Sequence, residues 1–131
     1  VEAMARPGMM GFFGAGGLSL ARVEDAVQHL NTSLGDLPFG CNLIHSHGDP
    51  EMEMATVNLY LKHHVHRISA AAFMRVTLPL VYYRLKGIHR DLSGTIHIPN
   101  KIIAKVSRIE VARQFFSPPR KKWSGSCCNR G

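Results

Sequence analysis

The run Lys101-Ile-Ile-Ala-Lys-Val-Ser107 decides how the chain is read, because it sets one lysine inside an apolar stretch of strand length. Side chains alternate along a strand, so Ile102, Ala104 and Val106 fall on one face and Ile103, Lys105 and Ser107 on the other. A lysine is seldom fully buried without a partner, since an unpaired ammonium in an apolar setting is costly. Lys105 therefore either reaches solvent at the strand's end or meets an anion there.

Working back from this strand, three earlier runs have the same character, and helical patterns separate them. Met9 to Gly14 is a short apolar run ended by Gly14-Ala-Gly-Gly17, which reads as a buried strand entering a tight loop. Ser19 is placed to cap a helix in which Leu20, Val23, Val27, Leu30 and Leu34 recur at three- and four-residue spacing, and Gly35 ends it. Pro38 to Ser46 reads as the second strand. Asp49 and Pro50 then supply an N-cap and a first-turn proline, and the helix they open carries Met54, Val57, Leu61 and Val65 as its expected apolar stripe. Arg67 to Phe73 is the third strand and Leu78 to Leu85 the helix after it. Between Gly87 and Lys101 the sequence Asp91-Leu-Ser-Gly94 marks a turn and suggests a hairpin-like excursion. Arg108 to Phe116 is the last helix, stopped by Pro118-Pro119. Strands that alternate with helices pair in parallel through right-handed crossovers, and function in such sheets gathers at the strands' carboxyl ends.

Those ends bring Gly14 to Gly17, Asn42 with His45, Ser69, and Lys105 with Ser107 to one rim. Flexible backbone, amide, hydroxyl and ammonium together suit a large polar ligand with a flat apolar part and a phosphate.

Composition narrows the alternatives. The net charge is +7, but residues 1 to 118 hold 12 Lys/Arg against all 9 Asp/Glu, and the remaining basic residues are Arg120, Lys121, Lys122 and Arg130. A body this balanced lacks the massed basic face of a nucleic-acid binder, and residues 119 to 131 read as a basic, disordered tail. Cys41 lies in an apolar run and Cys127 and Cys128 are adjacent, so no disulfide framework or CxxC pair forms. No apolar run is long enough to span a membrane, and the N-terminus lacks a secretory pattern. The expected compartment is the cytoplasm.

Several motifs fail on spacing. Gly14-Ala-Gly16 begins a dinucleotide fingerprint, yet Ser19 stands at the third glycine position and Asp36 lies in a loop before Pro38 rather than at a strand's end. His45 with His47, and His63 and His64 with His66, have no carboxylate or cysteine at metal-ligand spacing, and they read as exposed or loop histidines. Met9, Met10, Met52, Met54 and Met74 read as core filler. Glu51 and Glu53 face different sides of a helix, which argues against a paired acid and base. No serine or cysteine nucleophile has a base at recognisable spacing.

Met10-Gly-Phe-Phe-Gly-Ala-Gly-Gly-Leu-Ser-Leu20, Leu37-Pro-Phe-Gly-Cys-Asn-Leu-Ile-His-Ser46, Ser69-Ala-Ala-Ala-Phe-Met74 and Ile103-Ala-Lys-Val-Ser107 follow one another in an order that resembles a single flavoprotein family. It is similar to the trans-acting, FMN-dependent enoyl reductases of bacterial polyunsaturated fatty acid and polyketide synthases, relatives of nitronate monooxygenase. The resemblance covers nearly all of residues 1 to 118. It implies an α/β fold, a partial (β/α)8 TIM barrel comprising about strands 2 to 5 with their helices, since a whole barrel takes about 250 residues. It also implies FMN as cofactor, with Gly14, Asn42, Ser69 and Lys105 as its contacts. NADPH or NADH would be the hydride donor, and an enoyl thioester on acyl carrier protein the substrate.

The resemblance sets limits as well. The family's first strand, its later phosphate-gripping loops and its histidine-bearing loop have no counterpart here, so no catalytic residue is assigned and a fragment, inactive alone, is the expectation. Residues 119 to 131 do not match. A nitronate monooxygenase-like flavin oxidase fragment and a non-catalytic remnant are the alternatives. Uncovered sheet edges would favour self-association.

Overall fold

Ser19 accepts a hydrogen bond from the Arg22 amide and Gly35 adopts φ +55°, so the helix between them begins and ends where its caps predict. The computed structural model describes residues 1–118. In chain order it contains α1 (Glu2–Ala5), β1 (Gly11–Phe13), α2 (Leu20–Leu34), β2 (Phe39–Ile44), α3 (Pro50–Lys62), β3 (Arg67–Ala71), α4 (Leu78–Leu85), β4 (His89–Arg90), β5 (Ile96–His97), β6 (Lys101–Ala104) and α5 (Ile109–Phe116). Four strands form one parallel sheet in the order β1-β2-β3-β6, and β4 pairs antiparallel with β5 as the expected hairpin. A helix follows each strand of the sheet, which is the architecture of a partial (β/α)8 barrel.

Register decides which residues share a face. Phe12 pairs with Gly40, Asn42 with Ser69 and Ser69 with Ile103, so these residues line one side of the sheet. The opposite side carries Cys41, Leu43, Ile68 and Ala70, all buried, against Val27, Val57, Tyr60, Leu80 and Tyr83 of the helices. Desolvation there pushes the Cys41 thiol up to about 12. The other side is open, leaving Ile44 and Ile103 45% and 50% exposed.

Two tyrosines and an asparagine fix the strands to the helices. Tyr60 donates to the Asn42 carbonyl and Tyr83 to the Val65 carbonyl, both at 2.7 Å. Buried Asn100 donates to the carbonyls of Tyr83 and Lys86 and bonds His66, anchoring the start of β6 to the end of α4. A buried amide with its bonding capacity filled in this way costs little and specifies one arrangement.

Four sequence expectations are corrected. The strand expected over Lys101 to Ser107 ends at Ala104, because the Lys105 amide makes a last bond to the Ala70 carbonyl before the chain turns into α5. The inward residues of α3 are Glu53, Val57, Leu59 and Tyr60, while Met54 and Leu61 are half-buried: polar anchoring of Glu53 rotates the expected stripe. Met9, Met10, Met52 and Met74 are exposed rather than core filler, since they lie in loops or on the outward side of α3. His45 and His63 are largely buried, each bonded to a glutamate, and are not free loop histidines. The expected basic tail lies outside the described residues.

Candidate functional site

Strand alternation carries the open face upward from Phe12 to Gly14, from Gly40 to Asn42, from Arg67 to Ser69 and from Ile103 to Lys105. The four residues singled out from sequence thus fall on one face of the sheet. Asn42 and Ser69, however, lie inside β2 and β3, where the ladder runs two residues further, rather than at the strand ends expected, and Gly14 and Lys105 just follow β1 and β6. Asn42 and Ser69 are direct neighbours across β2 and β3. Among the described residues, the Asn42 Oδ1 and Ser69 Oγ atoms are buried and make no hydrogen bond. Two adjacent unpaired polar atoms are expensive to keep unless a bound group satisfies them. A flat heterocycle edged with donors and acceptors meets that requirement.

Lys105 follows the end of β6 and is exposed, which resolves the first of its two sequence alternatives. Its ammonium can still extend over the rim towards an anionic ligand. Nothing lies within 4 Å of where a Gly14 side chain would start, so the end of β1 leaves room for a ligand above the sheet. Ala72, just beyond β3, has φ +63°, a strained conformation for a residue with a side chain.

Sequence reasoning missed a second polar cluster at this end. His45 Nδ1 lies 2.8 Å from Glu53 Oε2, and the Thr77 hydroxyl donates to Glu53 Oε1 at 2.5 Å. The side chains of His45 and Glu53 are only 13% and 2% exposed. This places a carboxylate among the end of β2, the first turn of α3 and the N-cap of α4. The rings of His47 and Phe73 pack around His45 at centroid distances of 4.4 and 5.0 Å. The Asp49-Pro50 helix start was the available signal, because it puts Glu53 in a first turn facing the strand before it. Among the described residues no three His, Cys, Asp or Glu side chains could hold a metal ion.

A parallel α/β architecture with a polar rim at its carboxyl edge defines a class of ligand-binding barrel segments. Known proteins narrow that class. The chain is 45% identical over 119 residues to the polyketide biosynthesis protein PksE of Bacillus subtilis, covering 90% of this chain and 16% of that protein. It is 44% identical to the polyketide biosynthesis protein ThaF of Burkholderia thailandensis over 94% of this chain and 10% of that protein. A polyunsaturated fatty acid synthase subunit of Thraustochytrium sp. is 41% identical over 90% of the chain and 8% of its own length. The crystal structure of the enoyl reductase domain of MlnA, from the macrolactin biosynthesis cluster of Bacillus amyloliquefaciens, superposes with TM-score 0.91 at 37% identity, covering 99% of this chain and 30% of that one. No protein-family model matches the chain. The chain spans less than a fifth of the length of these curated relatives and under a third of the structural neighbour. In sequence and fold it matches part of an enoyl reductase, in the setting of polyketide and polyunsaturated fatty acid synthesis.

Proposed function

We propose that the chain is the portion of an FMN-dependent enoyl reductase that holds one side of the cofactor, and that the whole enzyme reduces enoyl thioesters carried on acyl carrier protein. The observation carrying this reading is the pair of unpartnered polar atoms, Asn42 Oδ1 and Ser69 Oγ, side by side on the open face of the sheet. Their chemistry fits the polar edge of a flavin ring. FMN supplies hydride transfer from a nicotinamide donor, NADPH or NADH, to the β-carbon of the enoyl group. The chain's residues would bind and orient it: Asn42 Oδ1 is free to accept from a ring N–H, Ser69 Oγ to bond a polar ring edge, and Gly14 leaves the approach open. Lys105 would set a cation either beside the electron-rich edge of the ring, where positive charge favours added electrons, or beside the ribityl phosphate, whose charge it would pair. A cytoplasmic location belongs to this reading; among the described residues no helix is long and apolar enough to cross a membrane.

Titrating the 131-residue chain with FMN and following quenching of flavin fluorescence tests the proposal, with Lys105→Ala and Asn42→Leu beside it. Saturable binding that both substitutions weaken is expected. Saturable binding indifferent to both would remove these residues from the site, and no binding would deny this segment a preorganised half-site.

A further inference from the structure

We propose that the cleft between α4, α5 and β6 receives the acyl chain of the substrate, entered from the same rim that holds the cofactor residues; this rests on the enoyl reductase reading above. The cleft has a volume of about 1250 Å³, and Leu80, Val81, Ile102 and Phe115 form its apolar body. Pockets for small ligands are typically about 300–1,000 Å³, so the space suffices for an extended chain. Polar groups stand at both ends: His45, Glu53, Arg75 and Thr77 at the rim, and Arg84 and Lys101 by the start of β6.

Strand alternation connects this cleft to the cofactor face. Ala104 and Val106 line the cleft, whereas Lys105 between them falls on the opposite side of the same strand end. A molecule crossing the end of β6 would therefore have its reacting part near Lys105 and its apolar remainder beyond Ala104. The cleft's acidic group is already committed: Glu53 is buried and bonded to His45 and Thr77. That leaves Arg75 as the cation beside this rim, with Arg84 and Lys101 lining the cleft by the start of β6; none of the three makes an ion pair among the described residues, and Arg84 donates to the Asn100 carbonyl. A neutral hydrocarbon chain with an oxygen-bearing head matches this distribution, because burying apolar surface drives its entry and the polar rim accommodates the head.

The experiment titrates the 131-residue chain with a fluorescent polyene fatty acid, displaces the probe with a dodecanoyl pantetheine thioester, and measures FMN binding in parallel. Ala104→Phe and Ala112→Phe each place a ring in the cleft, from β6 and from α5. The expected result is saturable, displaceable probe binding that each substitution weakens roughly tenfold or more, with FMN affinity unchanged. Should Ala104→Phe fail to fold, as judged by circular dichroism, Ala112→Phe alone decides. Probe binding indifferent to the filled cleft, or absent while FMN still binds, would overturn the acyl site and leave the reductase reading standing. Absence of FMN binding in the unaltered chain would strike the cofactor half-site proposed above instead.

Discussion

His45 and Glu53 meet at 2.8 Å between the end of β2 and the first turn of α3, and the same carboxylate takes the hydroxyl of Thr77 at the start of α4. One side chain thereby ties the β2–α3 unit to the β3–α4 unit at the rim.

Replacing Glu53 by Leu keeps the volume but leaves the imidazole and the hydroxyl without their acceptor. Leaving buried polar groups unpaired costs about 1–3 kcal/mol. Urea unfolding should register a loss of that size, and an unshifted midpoint would show that the carboxylate does not hold the two units together.

Ser69→Ala should separate stability from binding. Its hydroxyl has no partner among the described residues, so removing it should leave the free chain as stable or raise stability by up to about 1 kcal/mol. The same change should weaken FMN. Thermal unfolding and flavin titration on one preparation check both halves; a clear destabilisation with unchanged affinity would contradict both.

Gly40→Ala should be among the most damaging small substitutions. A side chain there would overlap the Phe12 ring and come within 2.8 Å of the Arg67 carbonyl oxygen, a backbone atom that cannot swing away. Overpacking of this kind costs about 1–3 kcal/mol. A variant as soluble and as stable as the parent would mean that the Phe12 ring and the Arg67 end of β3 can shift away from β2.

The hairpin should respond to acid. Hydrogen bonds from the Ser93 hydroxyl, then from His97, bring Asp91 down to about 2 from its usual 3.8. A depressed carboxylate contributes stability that is present above its unfolded value and lost as pH falls through its folded one, which puts the window between about pH 4 and pH 2. Carbon-13 NMR of the Asp91 carboxyl should give a midpoint well below its usual 3.8. Asp91→Asn should abolish the local pH dependence of the β4–β5 amide shifts, and its persistence would assign the effect elsewhere.

Much of this architecture was readable before any coordinates. Ser19, Gly35, Asp49 and Pro50 gave the ends of α2 and the start of α3 because caps act locally. Asp91-Leu-Ser-Gly94 announced the hairpin for the same reason. The inward face of α3 was not legible, since an apolar-periodicity rule discards a glutamate that only a neighbouring strand and the next helix can satisfy. The methionines misled in the opposite direction, their apolarity saying nothing about which side of an element they occupy. Of the site, Asn42 and Ser69 were read as separate strand ends, but their pairing depends on register and appears only once β2 and β3 lie together.

The order β1-β2-β3-β6 follows the order of synthesis, and only the hairpin intervenes before the last member joins. Each unit as it leaves the ribosome finds its docking partner already waiting, so short-range contacts can form without an early search across the chain. The exception is the step from β3 to β6, where β4 and β5 must first be made. Once β3 has emerged, its edge stays bare until β6 follows, and this is the interval in which nascent chains are most open to mispairing.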